Sequence, residues 1–196
     1  MPLILSILAS PRHDGTVATL LEAAEKSLAQ EGATIEHIDI TGLAVTPCKG
    51  CMSCRKTNVC TLPDDDAHRI AKLLDRADAV IVAAPTYWGG MPGQLKILFD
   101  RMVYALIDTS SGLRPRPLHR GKRAMIITAC TTPWPWNILA RQSSGTISAI
   151  RAVLKPAGFR ITAHITAHGT AKGGIPARAM THSATAARRL ICRIAK

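Results

Sequence analysis

The chain is predicted to form an α/β fold in which a five-stranded parallel sheet, in the order 2-1-3-4-5, carries helices on both faces. Strand-length apolar segments and helical segments alternate along all 196 residues. The first and third strands are nearly continuous apolar runs, as expected for strands buried on both faces. No internal repeat or linker interrupts the alternation, so residues 1–196 are expected to form one domain.

Each element follows from a local signal. Gly32 is placed to end the first helix, and the acids at 64–66 suit the first turn of the second. The strands are predicted at residues 3–8, 34–40, 78–84, 123–129 and 159–167. The helices are predicted at residues 15–30, 64–76, 93–108, 140–155 and 176–194, with a loop at 41–63.

Charge is distributed unevenly. Residues 1–100 carry a net charge of −3, whereas residues 101–196 carry +15 with Asp108 as the single acid. The basic residues are scattered, which favours solvated helix faces over a nucleic-acid site. No apolar run is long enough to cross a membrane, and no basic residue precedes the apolar start of the chain, so a cytoplasmic protein is expected.

The loop after the first strand has the composition of an anion site. Ser10, Arg12, Gly15, Thr16 and Val17 lead from the strand into the first helix. A helix N-terminus offers unpaired N–H groups and partial positive charge, which suit a phosphate. Hydroxyl donors and a guanidinium add to it, although an ordinary capped turn has a similar composition.

The loop after the third strand carries adjacent aromatic residues. It reads Pro85, Thr86, Tyr87, Trp88 and Gly89, and lies at the same edge of the predicted sheet. Aromatic side chains at this edge suit one side of a flat ligand ring. The alternative is that they only cover the end of the sheet.

Together these loops resemble the NADPH-dependent FMN reductases, a flavodoxin-like family. The first match is the Ser-Pro-Arg-x-x-Gly loop, and the second is Pro-x-Tyr-Trp-Gly followed by Pro-Gly-x-Leu-Lys and an Asp-Arg pair. The matching residues are Ser10, Pro11, Arg12, Gly15, Thr16, Pro85, Tyr87, Trp88, Gly89, Pro92, Gly93, Leu95, Lys96, Asp100 and Arg101. The resemblance runs from residue 1 to about residue 130.

The resemblance implies bound FMN, NAD(P)H as reductant and a homo-oligomer, either dimer or tetramer. Trp134 lies where the edge of the flavin ring is expected to pass. We assign no catalytic acid or base, because the flavin carries the electron chemistry itself. The expected acceptor is a small molecule such as a quinone, nitroaromatic, azo dye, iron chelate or free flavin.

Four cysteines lie close together in the loop at 41–63. Cys48, Cys51, Cys54 and Cys60 have the spacing C-x2-C-x2-C-x5-C, which favours metal or redox chemistry over a disulfide framework. The run resembles the iron–sulfur flavoprotein branch of the family, which implies a [4Fe–4S] cluster. A zinc site and metal-free thiols remain alternatives.

Three functions are therefore considered. The leading hypothesis is an FMN-dependent NAD(P)H oxidoreductase. The second is an iron–sulfur flavoprotein that takes electrons from an acidic, ferredoxin-like protein, a partner that the basic C-terminal half would suit. The third is a nucleic-acid-binding or regulatory protein that uses the basic half, but no helix-turn-helix, zinc-finger or RRM pattern supports it.

Overall fold

The computed structural model describes residues 1–110, 114–172 and 174–194. The strands are β1 (Leu3–Leu8), β2 (Thr34–Asp39), β3 (Ala79–Pro85), β4 (Ile107–Asp108), β5 (Arg116–Pro117), β6 (Arg123–Ala129) and β7 (Arg160–Ala167). The helices are α1 (Thr16–Gln30), α2 (Cys54–Thr57), α3 (Asp66–Arg76), α4 (Gly93–Arg101), α5 (Val103–Leu106), α6 (Trp136–Leu139), α7 (Gln142–Leu154) and α8 (Ala177–Ile194). Short 3-10 turns cover Ile40–Gly42 and Thr170–Lys172.

The main sheet has the order β2-β1-β3-β6-β7, and every neighbouring pair in it is parallel. This confirms the predicted order, with β6 and β7 as the fourth and fifth strands. Backbone hydrogen bonding continues beyond the strand ends: the Ala9 N–H donates to the Ala83 carbonyl oxygen at 2.7 Å. The Thr86 N–H likewise donates to the Ala129 carbonyl oxygen at 3.0 Å, so the loops after β1, β3 and β6 share one edge.

Successive side chains of the central strands point to opposite faces of the sheet, and both faces are buried. Leu5 and Val80 face a core built with α3, α4 and α7, whereas Ile4 and Ile81 face a core built with α1 and α8. All four side chains are almost completely buried. The two cores explain why these strands read as continuous apolar runs.

The predicted helix at 93–108 is interrupted at Met102 and ends two residues early, at Leu106. α4 ends at Arg101, α5 is a single short turn, and the chain then forms β4, which pairs antiparallel with β5. The Asp108 carboxylate accepts hydrogen bonds from the Arg116 guanidinium at 2.6 Å and the Ser110 N–H at 2.9 Å. These polar contacts hold the residues after α5 in a hairpin rather than a continued helix.

The basic residues of α8 are solvated. Arg178, Arg188, Arg189 and Arg193 are all exposed, as the scattered pattern predicted. Within the ranges given above, no helix combines the length and apolarity that a membrane crossing needs.

Candidate functional site

The loop after β1 presents the N-terminus of α1 without a capping side chain. Gly15 is the N-cap, and the first turn of α1 contains no acidic residue. The Ser10 hydroxyl accepts the Arg12 N–H at 3.2 Å, and the Gly15 N–H donates to the Arg12 carbonyl oxygen at 3.2 Å. These hydrogen bonds within the loop hold its shape. The N–H groups of the first turn of α1 have no helical partner, and they face the end of the helix, as binding of an anion requires.

Two residues predicted to bind the cofactor, Ser10 and Val17, have buried side chains. The Val17 side chain is buried in the core with α8, so only its backbone N–H is available to a ligand. Ser10 is also buried, and its hydroxyl is used within the loop. A Cβ added at Gly15 would lie 3.1 Å from the Arg12 carbonyl oxygen, so glycine allows the loop its tight fold.

The loop after β3 forms a tight turn whose tip is an exposed tryptophan. Tyr87 and Gly90 exchange two backbone hydrogen bonds, of 3.1 and 2.8 Å. The two residues between Tyr87 and Gly90 are Trp88 (φ 51°) and Gly89 (φ 71°). Both have positive φ, as in a type I′ turn. Positive φ is strained for a bulky residue, and the Trp88 side chain is fully exposed. Strain combined with exposure of a large aromatic residue indicates a ligand-binding role.

α7 supports this turn from behind. The Thr146 hydroxyl lies 2.9 Å from both the Gly90 carbonyl oxygen and the Thr86 hydroxyl. A Cβ added at Gly145 would lie 1.9 Å from the Gly89 carbonyl oxygen, so only glycine permits this approach. Thr86 therefore positions the turn, and sequence reasoning missed Gly145 and Thr146. The one available signal was a glycine inside a predicted helix.

The loop after β6 adds further aromatic surface at the same edge. Trp134 and Trp136 are largely exposed on either side of Pro135, whereas Asn137 between this loop and α7 is buried and donates to the Ser143 hydroxyl at 3.1 Å. Other large apolar side chains exposed at this edge are Tyr87, Trp88, Ile138 and Leu139.

The three loops fit FMN by the chemistry of their groups. One loop offers a basic side chain and free helix N–H groups for the phosphate, and the other two offer flat aromatic surface for the ring. The structure thus brings the predicted cofactor residues of all three loops to one edge of the sheet.

The four loop cysteines line one cavity of about 300 Å³ between the loop and the C-terminal end of α4. Cys48 and Cys51 are exposed, whereas Cys54 and Cys60 are partly buried. The Ser53 N–H and the Thr61 hydroxyl lower the pKa of Cys51 to about 7. Burial raises the pKa of Cys54, and the neighbouring Cys60, Cys48 and Cys51 thiolates raise it further. The four predicted ligands are therefore close enough to affect one another's charge.

Arg101 closes the inner wall of this cavity. Its guanidinium donates from Nη1 to the Cys60 Sγ at 2.8 Å and from Nη2 to the Asp65 carboxylate at 2.9 Å. Burial alone would raise the pKa of Asp65, but hydrogen bonds from the Thr46 N–H and Arg101 hold it below its ordinary value. The family resemblance contained Arg101, but nothing in the sequence indicated its contact with a cysteine.

The donor set fits a thiolate-bound metal centre in residue type and number. In the described part of the chain, no three Cys, His, Asp or Glu side chains are already arranged as metal ligands. Binding a metal thus requires the four thiols to turn toward one another within the cavity that they line. The cavity and the Tyr87–Gly90 turn flank opposite ends of α4, whose nine residues give a separation of about 12 Å along the helix axis.

Part of the chain is similar in sequence to two known iron–sulfur flavoproteins. Iron–sulfur flavoproteins of Methanosarcina thermophila and Methanocaldococcus jannaschii are 39% identical over 100 residues and 36% identical over 98 residues. These matches cover 51% of this chain and 52% of the first relative, and 50% of this chain and 50% of the second. The chain thus spans about half the length of the curated relatives it matches.

A solved FMN-dependent NADH-azoreductase from Bacillus anthracis has the same fold, with a TM-score of 0.74 over 100% of both chains at 16% identity. The sequence profile of the NADPH-dependent FMN reductases matches residues 2–167. Because this match includes every strand of the main sheet and all three loops at its carboxyl edge, the chain belongs to the NADPH-dependent FMN reductase family.

Proposed function

We propose that the protein is an FMN-dependent oxidoreductase that takes electrons from NAD(P)H and passes them to a small acceptor. The observation that carries this proposal is the meeting of the uncapped α1 N-terminus with the strained, exposed Trp88 at one sheet edge. Bound FMN supplies hydride acceptance and subsequent electron release. The family membership and the FMN-containing azoreductase with the same fold support the assignment.

The chain's own residues bind and orient the cofactor. Arg12 and the N–H groups of Thr16 and Val17 are assigned to the phosphate, since they surround the open end of α1. Trp88 is assigned to one border of the ring and Trp134 to another. We assign no side chain a proton-transfer role, because the flavin carries the electron chemistry itself.

The test is reduction of FMN-loaded protein by NADPH and by NADH, mixed rapidly without oxygen and followed by the loss of flavin absorbance. Reduction faster than that of free FMN, followed by reoxidation with a quinone, supports the proposal. A protein that binds no FMN, or whose FMN is reduced no faster than free FMN by either nucleotide, contradicts it.

A second candidate function is that of an iron–sulfur flavoprotein, in which electrons enter through a [4Fe–4S] cluster. The specific observation is that the four cysteines line one cavity beside a buried arginine. The names of the two archaeal relatives agree with it. Anaerobic reconstitution should then yield about four iron and four sulfide per chain.

The cysteine loop also suggests where an electron donor would bind. Lys49, Arg55 and Lys56 are exposed around the exposed thiols of Cys48 and Cys51. This places the positive charge beside the cavity itself, whereas the basic residues of α8 lie on the other face of the sheet with α1. We propose an acidic, ferredoxin-like donor for this basic rim, because complementary charge speeds association.

Charge reversal distinguishes the two surfaces. Replacing Lys49, Arg55 and Lys56 with Glu should slow reduction by a reduced ferredoxin at low salt, and the effect should shrink as salt is added. The matched control replaces three exposed arginines of α8, namely Arg178, Arg188 and Arg189, with Glu. Equal slowing by both sets would contradict binding at the cysteine loop.

The homo-oligomer is proposed on the apolar side chains exposed at the carboxyl edge. Trp134, Trp136 and Leu139 together offer more exposed apolar surface than isolated surface residues do. A second copy of the chain is the proposed cover. Sedimentation velocity with and without FMN tests it, and a monomer under both conditions would contradict it.

A further inference from the structure

We propose that Arg101 is a positioning residue for a metal centre in the cysteine cavity: it holds Cys60 in place and donates a hydrogen bond to its sulfur when the centre is bound. This inference rests on the second candidate function, the [4Fe–4S] site. It concerns a residue to which neither the sequence pattern nor the names of the relatives assign a role.

Burial is the first argument. The Arg101 side chain is 0% exposed and the Asp65 side chain 11% exposed. A buried guanidinium is costly unless it is paired and its N–H groups are used. Asp65 accepts from Nη2 and Cys60 from Nη1, while Nε has no partner among the described residues. The hydrogen bond to Asp65 thus orients the buried Arg101 guanidinium so that its Nη1 donates to the Cys60 sulfur.

The second argument is how Asp65 is itself held. Its carboxylate caps α3 by accepting the Ala67 N–H at 3.0 Å, and it accepts the Thr46 N–H at 3.1 Å. Thr46 precedes the first cysteine of the loop, and Cys60 is the last. Arg101 therefore ties Cys60 to α4 directly and Thr46 to α4 through Asp65.

A separate anchor holds the loop at Asn58, two residues before Cys60. The Asn58 side chain donates to the Asp108 carboxylate at 2.8 Å and to the Ser110 hydroxyl at 3.0 Å. The loop therefore does not depend on Arg101 alone for its path. Loss of Arg101 should release the Cys60 side chain while Asn58 stays attached.

The chemical consequence follows from the donor. A charge-assisted N–H···S hydrogen bond withdraws charge from a ligating thiolate, which favours the reduced state of a cluster and raises its reduction potential. Outer hydrogen-bonding partners of metal ligands typically change metal affinity by about 10- to 100-fold. Both effects are expected from Arg101, because its guanidinium donates directly to the Cys60 sulfur.

The experiment compares Arg101→Gln, Arg101→Lys and the double variant Arg101→Gln/Asp65→Asn with wild type. The double variant removes the carboxylate that a lone Arg101→Gln would leave buried without its cation, and asparagine still caps α3. Arg76→Gln is the matched control, because Arg76 is exposed at the end of α3 and does not line the cysteine cavity. Each protein is titrated anaerobically with Co²⁺, followed by thiolate-to-cobalt absorption, and then reconstituted with iron and sulfide for potentiometry.

The expected result is that Arg101→Gln and the double variant bind Co²⁺ about 10- to 100-fold more weakly and hold a cluster of lower reduction potential. Arg101→Lys, which keeps the charge but not the fork, should lie between them and wild type. Arg76→Gln should match wild type in both readouts. FMN affinity, measured in every variant, reports whether the rest of the fold is intact.

Two failures are distinguishable. If wild type binds neither Co²⁺ nor iron, the cluster function falls and this inference with it. If wild type binds both, but folded Arg101→Gln or the double variant matches Arg76→Gln in affinity and potential, only the role of Arg101 is refuted. The double variant and Arg101→Lys decide the matter should Arg101→Gln not fold.

Discussion

Gly145→Ala tests the close packing of α7 on the Tyr87–Gly90 turn. A Cβ atom at Gly145 would lie 1.9 Å from the Gly89 carbonyl oxygen. Ordinary carbon–oxygen contacts are about 3.3 Å or longer, so the helix and the turn must separate by about 1.4 Å. Since both clashing groups belong to the main-chain framework, neither can rotate away.

Helix propensity and close packing predict opposite changes in the free energy of unfolding of Gly145→Ala. Alanine is favoured over glycine inside a helix by about 1 kcal/mol, so propensity alone predicts stabilisation. Overpacking costs about 3 kcal/mol at the upper end of its usual range, which leaves a net loss of about 2 kcal/mol. For a chain of this size that corresponds to a fall of about 4–8 °C in Tm. Displacement of Trp88 with the turn should also weaken FMN about tenfold, the equivalent of 1.4 kcal/mol.

Differential scanning calorimetry and FMN fluorescence titration measure the two effects. Gly42→Ala is the matched control, because a Cβ there meets no atom within 4 Å. A Gly145→Ala protein with an unchanged or higher Tm and normal FMN affinity would refute both the close approach and the role of α7 in supporting the turn.

Three further predictions concern the loops. Arg12→Ala should weaken FMN by about 10- to 150-fold but leave riboflavin unchanged, because only FMN carries the phosphate; equal weakening in parallel titrations would remove the phosphate assignment. Trp88→Gly should weaken FMN without lowering Tm, since glycine adopts positive φ without strain; an unfolded variant would show a structural role. In metal-free protein, iodoacetamide should alkylate Cys51 before Cys54. The Cys51 thiolate is lost as pH falls through its pKa of about 7, whereas Cys54, with a raised pKa, should react only at higher pH. Mass spectrometry across pH locates the labels, and Cys54 reacting first would contradict this order.

The sheet was predictable because its signals are local. Apolar runs such as Val80 to Ala84 are long enough to identify buried strands, and their regular alternation with helices leaves few topologies. The position of the cofactor loops followed from that topology, before any contact was known. The predicted helix at 93–108 ran two residues too far, because Asp108 pairs with Arg116 of β5, a contact that no periodicity reveals.

The cysteine spacing predicted that four thiols act together, and the structure agrees that they share a cavity. Spacing could not show where that cavity lies. The loop leaves the carboxyl edge of β2, yet its cysteines pack against the far end of α4, about 12 Å along the helix from the aromatic turn. Such a placement depends on contacts between residues 36 to 50 positions apart, including Arg101 with Asp65 and Asn58 with Asp108.

Residue type and order along the chain therefore determined the strands, the anion loop, the aromatic loop and the thiol set, because each is a short-range pattern. Tertiary structure decided which of these groups are free to meet a ligand. It buried Val17 in the core, engaged Thr86 with Thr146, and left Trp88 exposed in a strained turn. It also aimed Arg101 at Cys60, because burial of a cation is tolerated only where distant partners satisfy its N–H groups.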